Sequence, residues 1–247
     1  MAIRASIIAV SLLAAASAHA ETACGGADLG TVTVKAARDA RTLLLADGRK
    51  LRLAAVEIPA GQTAALKSLE GRPLALRAAD GTPDRYGRLV AFAGPAEGGP
   101  SVQESLLSEG AARVSTRIGA KACAEALLTL EQKARAAHKG LWADPTFAPL
   151  RTDDYRRFRV ERGRFVLVEG KVQSVRESGA TIYVNFGRRF TRDFSVTILR
   201  RLRGAFTAAG VEPSALQGRR IRVRGFLEFR RGPIMDVAAP EQIEFIE

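Results

Sequence analysis

The sequence predicts a mainly β protein of two OB-type units, each a five-stranded Greek-key barrel, the first with appended helices. Three observations carry that prediction. Short apolar runs alternate with turn signals over residues 30–93, the same rhythm returns after residue 164, and one stretch between them switches to helical spacing.

The elements follow in order. Met1 to Ala20 has an Arg near its start, the apolar run IIAVSLLAAA and an Ala18-His19-Ala20 cleavage pattern. It reads as a secretory signal peptide, with an apolar run too short to span a membrane, and it implies a periplasmic or secreted protein. No later stretch has membrane length, so no span is expected in the mature chain. Residues 21–29 form an N-terminal arm. Then TVTVKAA, TLLLA, KLRLAAVEI, LALRAA and RLVAFAG read as strands. Asp47-Gly48 between two apolar runs is the strongest hairpin signal. Short helices are predicted near 62–69 and over 101–109. A longer one over 120–138 places Cys123, Leu127, Leu130, Ala134 and His138 on one face, with Gly140 as its stop.

Pro145, Pro149 and the charged run RTDDYRRFRVERGR mark a boundary, so the first unit is predicted at 30–147. Residues 148–163 are a linker or a connecting helix. The second unit, 164–247, shows the order β-β-β-α-β-β. In RRIRVRGFLEF the alternation puts Arg220, Arg222 and Arg224 on one face and Ile221 and Val223 on the other. Such a strand suits a groove that tracks a nucleic-acid backbone, and equally a solvated face.

Cys24 and Cys123 are the only cysteines, and in an exported chain an even count points to a disulfide, two free thiols being the alternative. The closed loop of roughly 100 residues would stabilise by up to about 4–5 kcal/mol. The mature chain holds one histidine, His138, at a predicted helix end, which argues against a His-based catalytic triad and a Cys/His metal site. Net charge is +12. Residues 1–150 carry 18 Lys+Arg against 14 Asp+Glu, and residues 151–247 carry 20 against 12, all Arg but Lys171. An Arg excess points to polyanions, nucleic acid first, or to solubility alone.

Four segments carry chemistry: D-A-R-T (39–42), L-R-L-A-A-V-E-I-P-A (51–60), D-R-Y-G-R (84–88) and A-R-A-A-H-K-G-L-W (134–142). Their order and spacing resemble the staphylococcal-nuclease-like, or thermonuclease, family over about residues 30–143. The resemblance implies an OB barrel with appended helices and calcium-dependent phosphodiester hydrolysis of DNA and RNA. Family members use two Asp ligands and a Thr carbonyl for calcium, a Glu for the attacking water, and two Arg for the phosphorane charge.

Carried over residue by residue, the set is incomplete. Arg52 and Arg88 stand at the two phosphate-arginine positions. Glu57 replaces one ligating Asp, and Ile58 retains a carbonyl. Arg41 stands where the other ligand belongs, and Ala60 where the Glu belongs. At about 4 Å and an effective dielectric near 20, one charge pair is worth ~4 kcal/mol. Exchanging −1 for +1 beside a divalent ion is then on the order of 16 kcal/mol as an upper bound. The family's base-stacking tyrosines are also replaced, by Thr116 and Ile118 in G-A-A-R-V-S-T-R-I.

Each retained residue has a structural alternative. Arg52 reads also as a surface strand cation, Arg88 with Asp84 as a pin for the Tyr86-Gly87 turn, and Glu57 as an Arg-pairing carboxylate. Trp142 reads as core. The sequence therefore predicts an exported thermonuclease-like protein whose nuclease site has decayed and which binds nucleic acid or another polyanion through Arg41, Arg52 and Arg88. The alternatives are an active calcium enzyme, its metal site rebuilt from Glu57 and Asp39, and a scaffold for a protein partner.

Overall fold

The structure, a computed structural model, describes residues 24–115, 120–189 and 191–246. The predicted signal peptide, Thr116 and Ile118 lie outside the described residues.

The N-terminal half holds β1 (Asp28–Asp39), β2 (Thr42–Leu45), β3 (Lys50–Leu53), β4 (Val56–Glu57), α1 (Ala64–Lys67), β5 (Pro73–Ala78), β6 (Leu89–Pro95), α2 (Val102–Ser108), β7 (Arg113–Val114) and α3 (Lys121–Ala136). Strands close into a barrel in the order β1-β2-β3-β6-β5. Long β1 makes closure possible, pairing with β5 through residues 28–33 and with β2 through residues 34–39. Gly48, at φ +87°, forms the predicted hairpin turn, and Asp47 Oδ1 accepts the Arg49 N–H at 3.0 Å. Leu43, Leu45, Leu51, Leu74 and Leu76 fill the interior.

The run KLRLAAVEI is not one strand. It breaks after Leu53, where Ala55 takes φ +60°, and β4 then leaves the barrel to pair with β7. Buried Gln103 takes up the backbone groups opened there. Its Nε2 donates to the Ala54 and Ala91 carbonyls, and its Oε1 accepts the Ala93 N–H. This break carries Glu57 out of the barrel wall and sets the site.

The α3 face carries a carboxylate that its prediction lacked. Cys123, Ala124, Leu127, Glu131 and Ala134 are buried and Leu130 packs partly buried against the core, so Glu131 joins the inward stripe. The helix stops at Ala136, and His138 takes the left-handed turn at φ +51°. His138 is exposed, as expected of a helix-end residue. Gly140 serves close approach: a Cβ there would lie 2.6 Å from the Glu109 and Gly110 carbonyl oxygens. The predicted disulfide joins Cys24 and Cys123, with Cα atoms 4.8 Å apart.

The C-terminal half comprises β8 (Leu150–Arg151), α4 (Tyr155–Val160), β9 (Phe165–Lys171), β10 (Ser174–Ser178), β11 (Thr181–Asn185), β12 (Ser195–Leu199), α5 (Arg203–Ala208), β13 (Arg220–Phe226), β14 (Glu228–Phe229), β15 (Pro233–Asp236) and β16 (Ile243–Phe245). Its two sheets run β10-β11-β12-β15-β14 and β16-β13-β9-β8 around one apolar core. The pairing repeats that of the first half. β12 runs parallel to β15 as β3 does to β6, and β9 pairs antiparallel with β13 as β1 does with β5. The stretch 148–163, expected as a linker or connecting helix, carries β8 and α4, and its Leu150 and Phe158 are buried in the second core.

The halves meet through a small apolar cluster of Ala134, Trp142, Phe165 and Leu167, and through buried arginines from both sides. Among the described residues no helix is long and apolar enough to cross a membrane.

Candidate functional site

Glu57 is the pivot. The strand break buries it to 3% exposure between two arginines. Arg52, on β3, donates from Nη2 to Glu57 Oε2 at 3.0 Å. Arg41, in the β1–β2 turn, brings Nη2 to 2.6 Å from Oε1. That contact is ionic and misses hydrogen-bond geometry, so Oε1 accepts no hydrogen bond. Burial pushes the Glu57 carboxyl above its usual range, against the opposing pull of Arg41, Arg52 and Arg88. The Arg41 guanidinium also lies 5.5 Å from the ring centre of Phe226, so the second half caps it.

Arg88 is committed to the barrel. Its Nε donates to Asp84 Oδ2 at 2.8 Å, and its Nη1 to Thr42 Oγ1 at 3.0 Å. Asp84 Oδ1 accepts the backbone N–H groups of Tyr86 and Arg88, which fixes the D-R-Y-G-R turn. Burial opposes ionisation of Asp84, but its bonds from Arg88 outweigh it and hold the carboxyl below the usual range. Of the two sequence readings of Arg88, its contacts are those of the pin.

Two concavities meet at Arg41. An open basin of about 590 Å³ is lined by Arg38, Asp39, Arg41, Thr42, Lys50, Tyr86 and Arg88, among others. Four cations face one carboxylate there, and Tyr86 is 62% exposed. A second cleft, about 280 Å³, lies between the halves, with Glu57, Ala60, Arg113, Phe147 and Phe165 in its wall. Ala60 lines this cleft and so faces the second half of the chain.

The arginine face of β13 is corrected by the structure. Ile221 and Val223 point into the core as the alternation requires, but the opposite face is not a cationic surface. Arg224 is fully buried, paired with Glu131 at 2.9 Å and with Glu244, and donating to the Val114 carbonyl at 3.1 Å. Arg222 pairs with Glu169 at 2.6 Å and Glu244 at 2.9 Å. Only Arg220 is exposed. Glu131 of α3 and the cross-strand carboxylates Glu169 and Glu244 consume this face, and one strand's alternation does not show what packs on it.

Sequence reasoning missed the junction residues Arg113, Glu131 and Glu244. Arg113 is buried, donating to the Phe165 and Phe147 carbonyls at 2.8 and 2.7 Å, and burial lowers its pKa to about 10 despite Glu131. The available signal was Glu131, which continues the helical stripe of Cys123 and Leu127. It also missed the basin partners Arg38 and Lys50.

The comparisons fit this geometry. Residues 52–144 match the family model described as staphylococcal nuclease homologue, so that segment is a thermonuclease-like domain. A comparison with curated proteins gave no match. The family is calcium-dependent and binds nucleic acid. The donors here do not fit calcium: the Glu57 carboxylate is held by two guanidinium groups, and no three acidic, His or Cys side chains converge among the described residues. Asp39, the other carboxylate proposed for a rebuilt site, accepts the Arg41 N–H at 2.6 Å.

Proposed function

We propose that this is an exported, non-hydrolytic member of the thermonuclease-like group that binds polyanions, nucleic acid foremost. The observation that carries the reading is the basin, where Arg38 and Lys50 join Arg41 and Arg88, the latter two already paired with Glu57 and Asp84, beside an exposed Tyr86. A cationic trough with an aromatic wall suits a phosphate backbone with a base alongside. Arg41 contributes from the rim, its side chain 47% exposed, while Arg52 and Arg88 act through the groups they hold. The Arg41–Glu57–Arg52 cluster sets fixed cations around Glu57 and engages its carboxylate. Export is supported by the signal-like sequence and by the disulfide. We read the C-terminal half as a second OB-type unit, from its repeated strand pairing, docked by its buried arginines.

The test is a salt titration of fluorescein-labelled oligothymidine binding by fluorescence anisotropy. Affinity falls linearly on logarithmic axes, and Arg38→Glu with Lys50→Glu lowers the slope by about 1.4 or more, at ~0.7 per neutralised phosphate. Affinity indifferent to salt would overturn the reading in favour of a protein-binding scaffold.

A further inference from the structure

We infer that the C-terminal half carries a second contact surface for single-stranded nucleic acid, built from Tyr155, Phe229, Arg162 and Arg192. It rests on the nucleic-acid reading of the basin but lies on different elements.

Three separate segments converge there. Tyr155 on α4 and Phe229 on β14 pack edge to face, ring centres 6.3 Å apart. Arg192, from the β11–β12 loop, lies 6.0 Å from the Tyr155 ring, and Arg162, just past α4, lies 5.9 Å from Phe229. Both arginines are exposed, and neither makes an ion pair among the described residues, whereas Arg222 and Arg224 both do.

Charge at this place is one-sided. Residues 155–164 hold five Arg against one Glu, and residues 186–193 hold three Arg against one Asp. The carboxylates of these segments are engaged. Asp154 caps α4, Asp193 accepts the Arg189 N–H, Glu161 faces Arg164, and Glu228 and Asp236 hold Arg230. Tyr155 and Phe229 keep part of their surface in solvent. Guanidinium groups beside partly exposed rings offer stacking area to a base and charge to its phosphate, the two demands of single-strand binding. Duplex binding would use the charge but not the rings.

The experiment measures binding of labelled oligothymidine and of dextran sulfate, a polyanion without bases, to the full mature chain. Tyr155→Ala is expected to weaken oligothymidine binding about fivefold or more and leave dextran sulfate unchanged, while Tyr155→Phe, which keeps the ring, binds as wild type. Arg162→Glu with Arg192→Glu weakens both polymers and lowers the oligothymidine salt slope by about 1.4 or more. Equal loss for both polymers in Tyr155→Ala, or loss in Tyr155→Phe, overturns the stacking surface. Wild-type binding by all of these variants, with loss in Arg38→Glu/Lys50→Glu, overturns it and leaves the basin standing. No oligothymidine binding by wild type removes both readings.

Discussion

Arg224 Nη1 lies 2.9 Å from Glu131 Oε2, both side chains fully buried, across 93 residues of sequence. This pair is where the two halves are tied, and Glu244 and the Val114 carbonyl complete the shell around Arg224. Removing one partner of a buried pair costs about 3–5 kcal/mol where the other charge is left unpaired. Arg224→Met leaves Glu131 with Arg135 at 3.0 Å and Glu244 with Arg222 at 2.9 Å, so it should lower stability by up to that amount in a denaturant titration. Adding Glu131→Gln should cost less than the sum of the single changes.

The junction and the site respond to pH with opposite signs. Burial opposes ionisation of Glu244, but Arg224 and Arg222 outweigh it and hold its carboxyl below the usual range. Its contribution is present above the unfolded value near 4.5 and is lost as pH falls through the lowered folded value. Glu57 is shifted upward, so its contribution is full below about 4.5 and is lost as pH rises through the folded value. Thermal melts should show Glu57→Gln gaining on wild type as pH rises from about 4.5 toward neutral. Glu244→Gln should lose ground to wild type in the separate window below about 4.5, as pH rises through the lowered folded value.

The disulfide anchors the start of the barrel to α3, the helix that also carries Glu131. Its loop spans 99 residues of separation. Cys24→Ser with Cys123→Ser should cost up to about 4–5 kcal/mol in denaturant unfolding. Addition of reductant to the wild type should reproduce that loss and have no effect on the double variant.

The barrel was legible because its strands are short, turn-bounded and leucine-rich, and because Asp47-Gly48 names its own turn. Cys24–Cys123 followed from an even cysteine count behind a signal-like N-terminal stretch. The strand break at Ala54-Ala55 was not legible, since an alanine at positive φ leaves no mark, and the groups that hold it, the Gln103 side chain and the backbone of Ala91 and Ser115, are distant in sequence. At the site, the motifs single out Arg52, Glu57 and Arg88 but do not show what they touch. Two arginines meant for phosphate turn out to hold carboxylates, Arg52 on Glu57 and Arg88 on Asp84. The face of Arg222 and Arg224 was misread for a related reason: its partners Glu131, Glu169 and Glu244 lie on other elements, out of reach of local pattern.

The central claim is that Arg41 and Ala60 have converted a hydrolytic site into a binding site. Purified mature protein, incubated with plasmid and with single-stranded DNA in calcium and in chelator, tests it most directly. The account predicts no chelator-sensitive cleavage by wild type, and a gain of calcium-dependent cleavage on installing Arg41→Asp with Ala60→Glu. Chelator-sensitive cleavage by wild type that disappears in Arg88→Ala would contradict it.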